Sequence, residues 1–219
     1  MTLWTILVPT IGERRELFER LLACLLPQLD PFAGEVRVLA WHNNGSPLLG
    51  EIRDGLVRDA GSEYVSFVDD DDLVADDYVA RIAEALADRP DHVGFKLEYT
   101  TDGVGREVVE HSLVYDRWHR RRHDNVLARD FTHVDPIRRE IAMHGSFVPR
   151  RPGRAEDRHW VKQVRPWLTG GSEVYIDKIM YYYLWRSDVT AWQRPGALIP
   201  GDRAVVDHPY FAWHPESST

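Results

Sequence analysis

The sequence predicts an α/β chain with a mostly parallel sheet flanked by helices. Two observations carry that prediction. Strand-length apolar runs alternate with amphipathic helical stretches through roughly the first 90 residues. The third run, Tyr64-Val65-Ser66-Phe67-Val68, ends in four consecutive aspartates, Asp69 to Asp72. Repeated strand–helix alternation implies right-handed crossovers between parallel neighbours. The carboxyl ends of such strands are where open α/β sheets bind ligands.

The elements follow in order. Thr5-Ile6-Leu7-Val8 reads as a buried strand stopped by Pro9. Thr10-Ile11-Gly12-Glu13 fits a capping box with Thr10 as N-cap. Leu17, Phe18, Leu21, Leu22, Leu25 and Leu26 then mark one face of a helix closed by Pro27 and Pro31. Cys24 lies on the apolar side of that helix. Val36 to Trp41 is a second strand, ended by the turn signal His42-Asn43-Asn44-Gly45-Ser46. Glu51 to Ala60 is helical, Tyr64 to Val68 a strand and Asp76 to Ala87 a helix.

In the second half, alternating Val93, Phe95, Leu97 and Tyr99 predict a strand over His92 to Tyr99, turned by Thr101-Asp102-Gly103. A further strand is expected over His111 to Tyr115, a short helix over Pro136 to His144, and a loop from Val148 to Ala155. A helix over Asp157 to Leu168 precedes a long aromatic strand, Glu173 to Trp185. From Arg194 onward the chain reads as irregular, packed through Tyr210, Phe211 and Trp213.

Composition bounds the function. At 219 residues and 43% hydrophobic residues, one domain with a sizeable core is expected. The single cysteine excludes an internal disulfide and a cysteine-based zinc site within one chain. No apolar run approaches the ~20 residues of a membrane span, and the N-terminal residues lack a basic leader. A soluble, cytoplasmic protein without membrane insertion is the expectation. There is no Walker loop, no Gly-x-Gly-x-x-Gly and no Gly-x-Ser-x-Gly, so kinases, Rossmann dehydrogenases and serine hydrolases lose support. His119 and His123 are four apart but lack a third ligand, so they read as surface. Trp160 and Trp167 read as core.

Four adjacent carboxylates repel one another unless a cation neutralises them. Mg²⁺ and Mn²⁺ prefer oxygen ligands, often one or two carboxylates plus substrate phosphates. A metal–diphosphate site accounts for both the charges and the strand that delivers them. A capped acidic loop, or an unrelated Ca²⁺ site, stays open from this motif alone. An EF-hand loop does not fit, because its Gly and distal Glu are missing.

The motifs together resemble the family 2 glycosyltransferases of the GT-A fold. Thr5-Ile6-Leu7-Val8-Pro9-Thr10 with Arg14 is similar to the family's opening strand and nucleotide loop. Phe67-Val68-Asp69-Asp70-Asp71-Asp72 is similar to its Asp-x-Asp motif, and Glu156-Asp157 to its Glu-Asp motif. Asn43-Asn44-Gly45-Ser46 stands where members often carry Asp-Asp-Gly-Ser. His133 to Glu140 also looks like a segment that precedes the Glu-Asp motif in some members. The resemblance covers roughly residues 4 to 190.

That resemblance implies one GT-A (Rossmann-like) domain over 1–219. Residues 1–90 would be the nucleotide-sugar half, 91–190 the acceptor and catalytic-base half, and 191–219 an irregular tail. It implies Mn²⁺ or Mg²⁺ on Asp71 and Asp69, with Asp69 or Asp70 at the ribose or metal shell. Pro9, Thr10 and Arg14 would line the nucleotide pocket, and Asn43 or Asn44 would read the base of a nucleotide sugar, UDP favoured. Asp157, with Glu156 beside it, would be the general base of an inverting transfer. Members often place a histidine near the diphosphate late in the chain. Here Arg186 stands at that point, so Arg186 takes over charge compensation or His208 or His214 folds back.

The acceptor is open. His133, Arg138 and Arg154 fall on its side. From Arg117 to Arg154 there are ten arginines against four acids, in a chain of net charge −8. That basic region points to a polyanion, with a hydroxylated DNA base as the specific expectation and a protein or saccharide hydroxyl as the default. The rivals from other classes are a sugar-nucleotide nucleotidyltransferase and a non-catalytic sugar-nucleotide-binding module.

Overall fold

The structure is a computed structural model. It describes residues 2–43, 48–121, 126–149, 156–187, 206 and 208–215. The elements are β1 (Trp4–Ile11), α1 (Arg15–Leu25), β2 (Val36–Asn43), α2 (Leu49–Asp59), β3 (Tyr64–Phe67), β4 (Leu73–Val74), α3 (Tyr78–Leu86), β5 (His92–Thr101) and β6 (Val104–His111). They continue with β7 (His119–Arg120), β8 (Leu127–Arg129), β9 (Ile137–Arg138), α4 (Arg139–Ala142), α5 (Glu156–Val164), β10 (Glu173–Trp185) and β11 (Phe211–Trp213).

The described strands form one mixed sheet ordered β11-β2-β1-β3-β9-β5-β6-β8-β7, with β10 pairing β4 and β5. The expected parallel unit is present: β1 lies between β2 and β3, parallel to both. β10 runs parallel to β5, and β6 returns antiparallel from it.

Two cores cover the two faces. Phe18, Leu21 and Leu25 of α1 pack with Tyr78, Val79 and Ile82 of α3 and Trp4, Ile6 and Val8 of β1. On the other face, Ile52 and Leu56 of α2 pack with Leu7, Phe67, Phe147 and Trp160. Cys24 joins the first cluster in part, its thiol 3.3 Å from the Val74 carbonyl. Gly55 lets α2 settle on the sheet, since a Cβ there would lie 2.4 Å from the Trp41 ring.

Several expectations are corrected. Pro9 does not stop β1, which runs to Ile11. Residues two apart in a strand point their backbone groups to the same side. The Leu7 carbonyl accepts from Val68, the last contact before the chain turns away, so the missing Pro9 N–H costs no ladder bond. Thr10 is a buried strand residue and not an N-cap; the turn after Ile11 carries no side-chain cap. His42 and Asn43 belong to β2 rather than to the following turn.

The strand expected over His111 to Tyr115 lies earlier, as β6. Asp102 (φ 48°) and Gly103 (φ 77°) take left-handed conformations that suit a two-residue hairpin, so the return starts at Val104. Ile137 and Arg138 form β9 before the short helix begins. The tail is not wholly irregular: β11 adds in parallel to the edge of β2, and Trp213 packs 5.5 Å from the Phe18 ring. Trp160 is core, but Trp167 is 56% exposed and stacks on His144 at 3.4 Å.

Candidate functional site

β1, β2 and β3 end side by side. Pro9, Thr10 and Ile11 stand level with Trp41, His42 and Asn43, while the chain leaves β3 into Asp69–Asp72. Asn43 is buried at this edge. Thr10, Arg14 and the aspartates therefore meet at the carboxyl edge of the parallel strands. Asn44 and Arg154 lie outside the described residues, as does His123.

Each aspartate has a different environment. Asp69 Oδ1 accepts from Arg53 Nη2 at 2.8 Å, and Asp69 Oδ2 lies 3.3 Å from His133 Nε2. Burial alone would raise the Asp69 pKa, but Arg53 and His133 outweigh it and hold the carboxylate well below its usual range. Asp70 is 1% exposed and accepts from Arg14 Nη1 at 2.8 Å. Burial dominates there and pushes its carboxyl up to about 7. Asp71 lies 3.2 Å from the same arginine; burial and Asp69 raise its pKa. Asp72 is buried between the Tyr181 hydroxyl, which donates at 2.7 Å, and the Leu184 N–H at 2.8 Å. Burial and the neighbouring aspartates raise it well above the carboxylate range.

Tyr181 also accepts from the Asp69 N–H at 3.1 Å, so one phenol fastens the aspartate turn to β10. The Arg20 guanidinium donates to the Asp71 carbonyl at 3.0 Å. Arg186 adds positive charge near both Asp71 and Arg20.

Arg53 ties the two acidic motifs together. It is 4% exposed, on the apolar face of α2, and its Nη1 lies 3.4 Å from Glu156 Oε1. Burial would lower its pKa; the charges of Asp69, Glu156 and Asp157 raise it instead. Glu156 and Asp157 open α5, where partial positive charge at a helix start favours carboxylates. Trp160, 1% exposed, anchors that helix: its indole donates to the Ala142 carbonyl at 3.1 Å and stacks on Phe147 at 4.9 Å.

Arg53 was not singled out in the sequence. The signal is an arginine three residues before Leu56 and four before Val57, where the helix pattern calls for an apolar side chain. His133, expected on the acceptor side, packs its ring on Phe67 and Phe147 and faces Asp69.

The assignment of Arg138 is corrected. It sits opposite Tyr64, at the start of β3 and away from the aspartates, paired with Glu63 and Asp91 at 2.8 and 3.0 Å. Neither late histidine reaches the aspartates. His208 lies 3.6 Å from Asp30, and His214 lies 2.8 Å from Asp59 while stacking on Trp41.

Several described arginines of the basic region are satisfied internally. Arg120 meets Glu107, Arg121 meets Glu110, and Arg139 donates to carbonyls at the end of α2. Those arginines therefore add little unpaired positive charge, while four of the ten lie outside the described residues.

Among the described residues, no group of three or more His, Cys, Asp or Glu forms a ready metal cage. A single available carboxylate is enough when phosphates and water complete an octahedral shell. Asp71 fits that role: its side chain is 22% exposed. Asp69 fits poorly, because Arg53 and His133 already engage its oxygens. Burial first, and then repulsion among the crowded carboxylates, raises Asp70, Asp71 and Asp72 above the ordinary carboxylate value despite the adjacent arginines. A hard cation would relieve that crowding.

Comparisons with known proteins bear on the fold. No protein-family model matches the sequence, and no curated protein does. Among solved structures, the chain is similar to S. aureus TarS residues 1–349, with TM-score 0.62, 18% identity, 84% of this chain covered and 60% of that one. The same fragment in complex with UDP-GlcNAc gives TM-score 0.62 at 17% identity, covering 86% of this chain and 60% of that one. Full TarS gives 0.60 at 16%, covering 84% of this chain and 37% of that one. The chain thus spans less than two thirds of the structures it resembles. At such identities the likeness speaks to architecture, and the architecture of this chain is the GT-A type.

Proposed function

We propose that the protein is a glycosyltransferase that moves a sugar from a nucleotide-diphosphate donor, UDP-linked by preference, to an acceptor hydroxyl with inversion. The observation that carries this reading is the Arg53 bridge. It brings the aspartate turn and the Glu-Asp pair, distant in sequence, to one sheet edge. A TarS structure holding UDP-GlcNAc and another holding UDP share the fold and support the choice of donor.

In this reading Pro9, Thr10 and Asn43 bind the nucleoside at the ends of β1 and β2. Asp71 holds Mg²⁺ or Mn²⁺, which when bound offsets the charge developing on the departing diphosphate. Arg186 and Arg14 supply further positive charge to that leaving group. Asp157 takes the proton of the acceptor hydroxyl as it attacks the anomeric carbon from the opposite side. Glu156 is committed to Arg53, which leaves Asp157 as the carboxylate free for that work. One displacement at that carbon inverts it.

The test is a donor screen. Purified protein with Mn²⁺ or Mg²⁺ is mixed with UDP-, GDP-, CDP- and dTDP-sugars, and thermal shift and release of free nucleotide are followed. The expected result is metal-dependent stabilisation and slow hydrolysis of one donor, falling about 10²-fold or more in Asp71→Asn. Full activity in that variant removes Asp71 from its role, and silence towards every donor removes the proposal.

A further inference from the structure

Beside Asp157 lies a positive cluster that the donor chemistry leaves unused. Arg129 ends β8, close to the start of α5. Its guanidinium carbon lies 4.0 Å from the centroid of the Trp118 ring, and Trp118 is 45% exposed. Arg129 Nε is buried with no hydrogen-bond partner. The guanidinium forms no ion pair with any described residue, in contrast to Arg120, Arg121 and Arg165 nearby. Arg158 follows Asp157 on the exposed side of α5 and also has no ion pair among the described residues. Asp157, Asp135 and Asp130 attract Arg129 while Arg158 repels it, and Asp130 is paired with Arg165. Asp135 is itself engaged by His111 Nδ1 at 3.0 Å.

A largely enclosed guanidinium without a partner is costly. Burial accordingly lowers the Arg129 pKa to about 10. With one face covered by an indole, a guanidinium keeps its N–H edge for a ligand in the ring plane. The planar fork of arginine matches phosphate and carboxylate in two parallel hydrogen bonds. Arg129 and Arg158 repel each other, and neither forms an ion pair with a described residue, so both guanidiniums keep hydrogen-bond donors for an anion beside Asp157.

We propose that Arg129 and Arg158, with Trp118 covering the first, form a subsite for an oxoanion (phosphate or carboxylate) carried by the acceptor. The word acceptor rests on the transferase reading; the anion site does not. The acceptor class is then a polyol or saccharide bearing an acidic group a short distance from the hydroxyl that reaches Asp157. It follows that the acceptor is held by charge on one side of Asp157 and deprotonated on the other.

The experiment titrates the full chain with glycerol 3-phosphate, glycerate and glycerol, followed by calorimetry and by the arginine Nε–H resonances. Saturable binding of at least one anion, none of glycerol, and a loss of about tenfold or more in Arg129→Gln and in Arg158→Gln is the expected result. Whichever anion binds more tightly names the source, phosphate or carboxylate. Arg158 is exposed, so its variant keeps the test alive if Arg129→Gln fails to fold. Equal binding by wild type and Arg158→Gln overturns the shared site, and absence of saturable anion binding overturns it altogether. A parallel nucleotide-sugar titration separates the two readings. Donor binding without anion binding sinks only the subsite, and anion binding without donor binding sinks only the transferase.

Discussion

The two halves of the sheet treat buried charge differently. In the first half, Arg14 and Arg53 meet Asp69, Asp70 and Asp71 directly, so acids and guanidiniums interlock before any ligand arrives. In the second half arginine pairs recur, Arg121 with Glu110 and Arg165 with Asp130, but histidines also partner the acids. Glu173 lies 3.0 Å from His92 Nδ1 and accepts from Ser112 at 2.6 Å; Asp135 engages His111. Here Arg129 forms no ion pair with a described residue, although Asp157, Asp135 and Asp130 lie near it. The first half is thus built on arginine–aspartate pairs at one sheet edge, and the second adds a histidine–carboxylate network whose charge can change with pH.

Four changes test that contrast. The largest effect is expected from Asp157→Asn. Transfer in a single-turnover assay should fall about 10²- to 10⁴-fold while donor affinity, read by thermal shift, stays near wild type. Near-normal transfer would place the base elsewhere.

Arg53→Met comes next. It leaves Asp69 and Glu156 without their shared cation, and breaking a buried pair in this way costs about 3–5 kcal/mol. Urea unfolding measures it, and a loss below about 1 kcal/mol would show that the bridge does not join the halves.

The third is a pH effect of His111, in the second half. Burial holds the His111 pKa below its ordinary value despite Asp135. The unfolded chain therefore takes up this proton first as pH falls below about 6.5. The His111 contribution should drop from there down to its folded pKa, opposed by Asp70, whose carboxyl, raised to about 7, favours the fold as pH falls; Asp135 and Glu173, both lowered in the fold, add losses at more acidic pH. Thermal midpoints at pH 7.5 and 5.5 should differ less in His111→Asn, which keeps a donor but does not titrate. An identical pH response in both proteins would clear His111 of the effect.

The smallest change is Arg138→Gln. Its partners Glu63 and Asp91 lie at the far end of β3, so stability should fall by about 1 kcal/mol. Nucleotide-sugar affinity should not move, and a changed affinity would return Arg138 to the site.

Much of this was legible in the chain. Alternating apolar runs gave the parallel unit, and β10 matched its expected bounds from Glu173 to Trp185. The aspartate turn and the Glu-Asp pair could be named because short charged motifs survive without tertiary context. What escaped was set by contacts between distant residues. β6 was missed because Glu107 and Glu110 break its apolar pattern; the fold tolerates them because Arg120 and Arg121 meet them from β7 and the residue after it. Arg138 looked basic and available until β9 placed it between two acids. Arg53 sat in a helix whose pattern concealed it, since a buried guanidinium is recognised only once its carboxylates are placed.

The strand β11 has a consequence for solubility. Without it, β2 would present the outer row of its backbone donors and acceptors along eight residues, a template on which another chain could pair. Instead, Phe211–Trp213 occupies the middle of that row, and His214 donates its N–H to the Ala40 carbonyl at 2.7 Å. The exposed border becomes a three-residue strand, too short to nucleate a second sheet. A few aromatic residues late in the chain thus guard the molecule against self-association at the end of the sheet opposite β7.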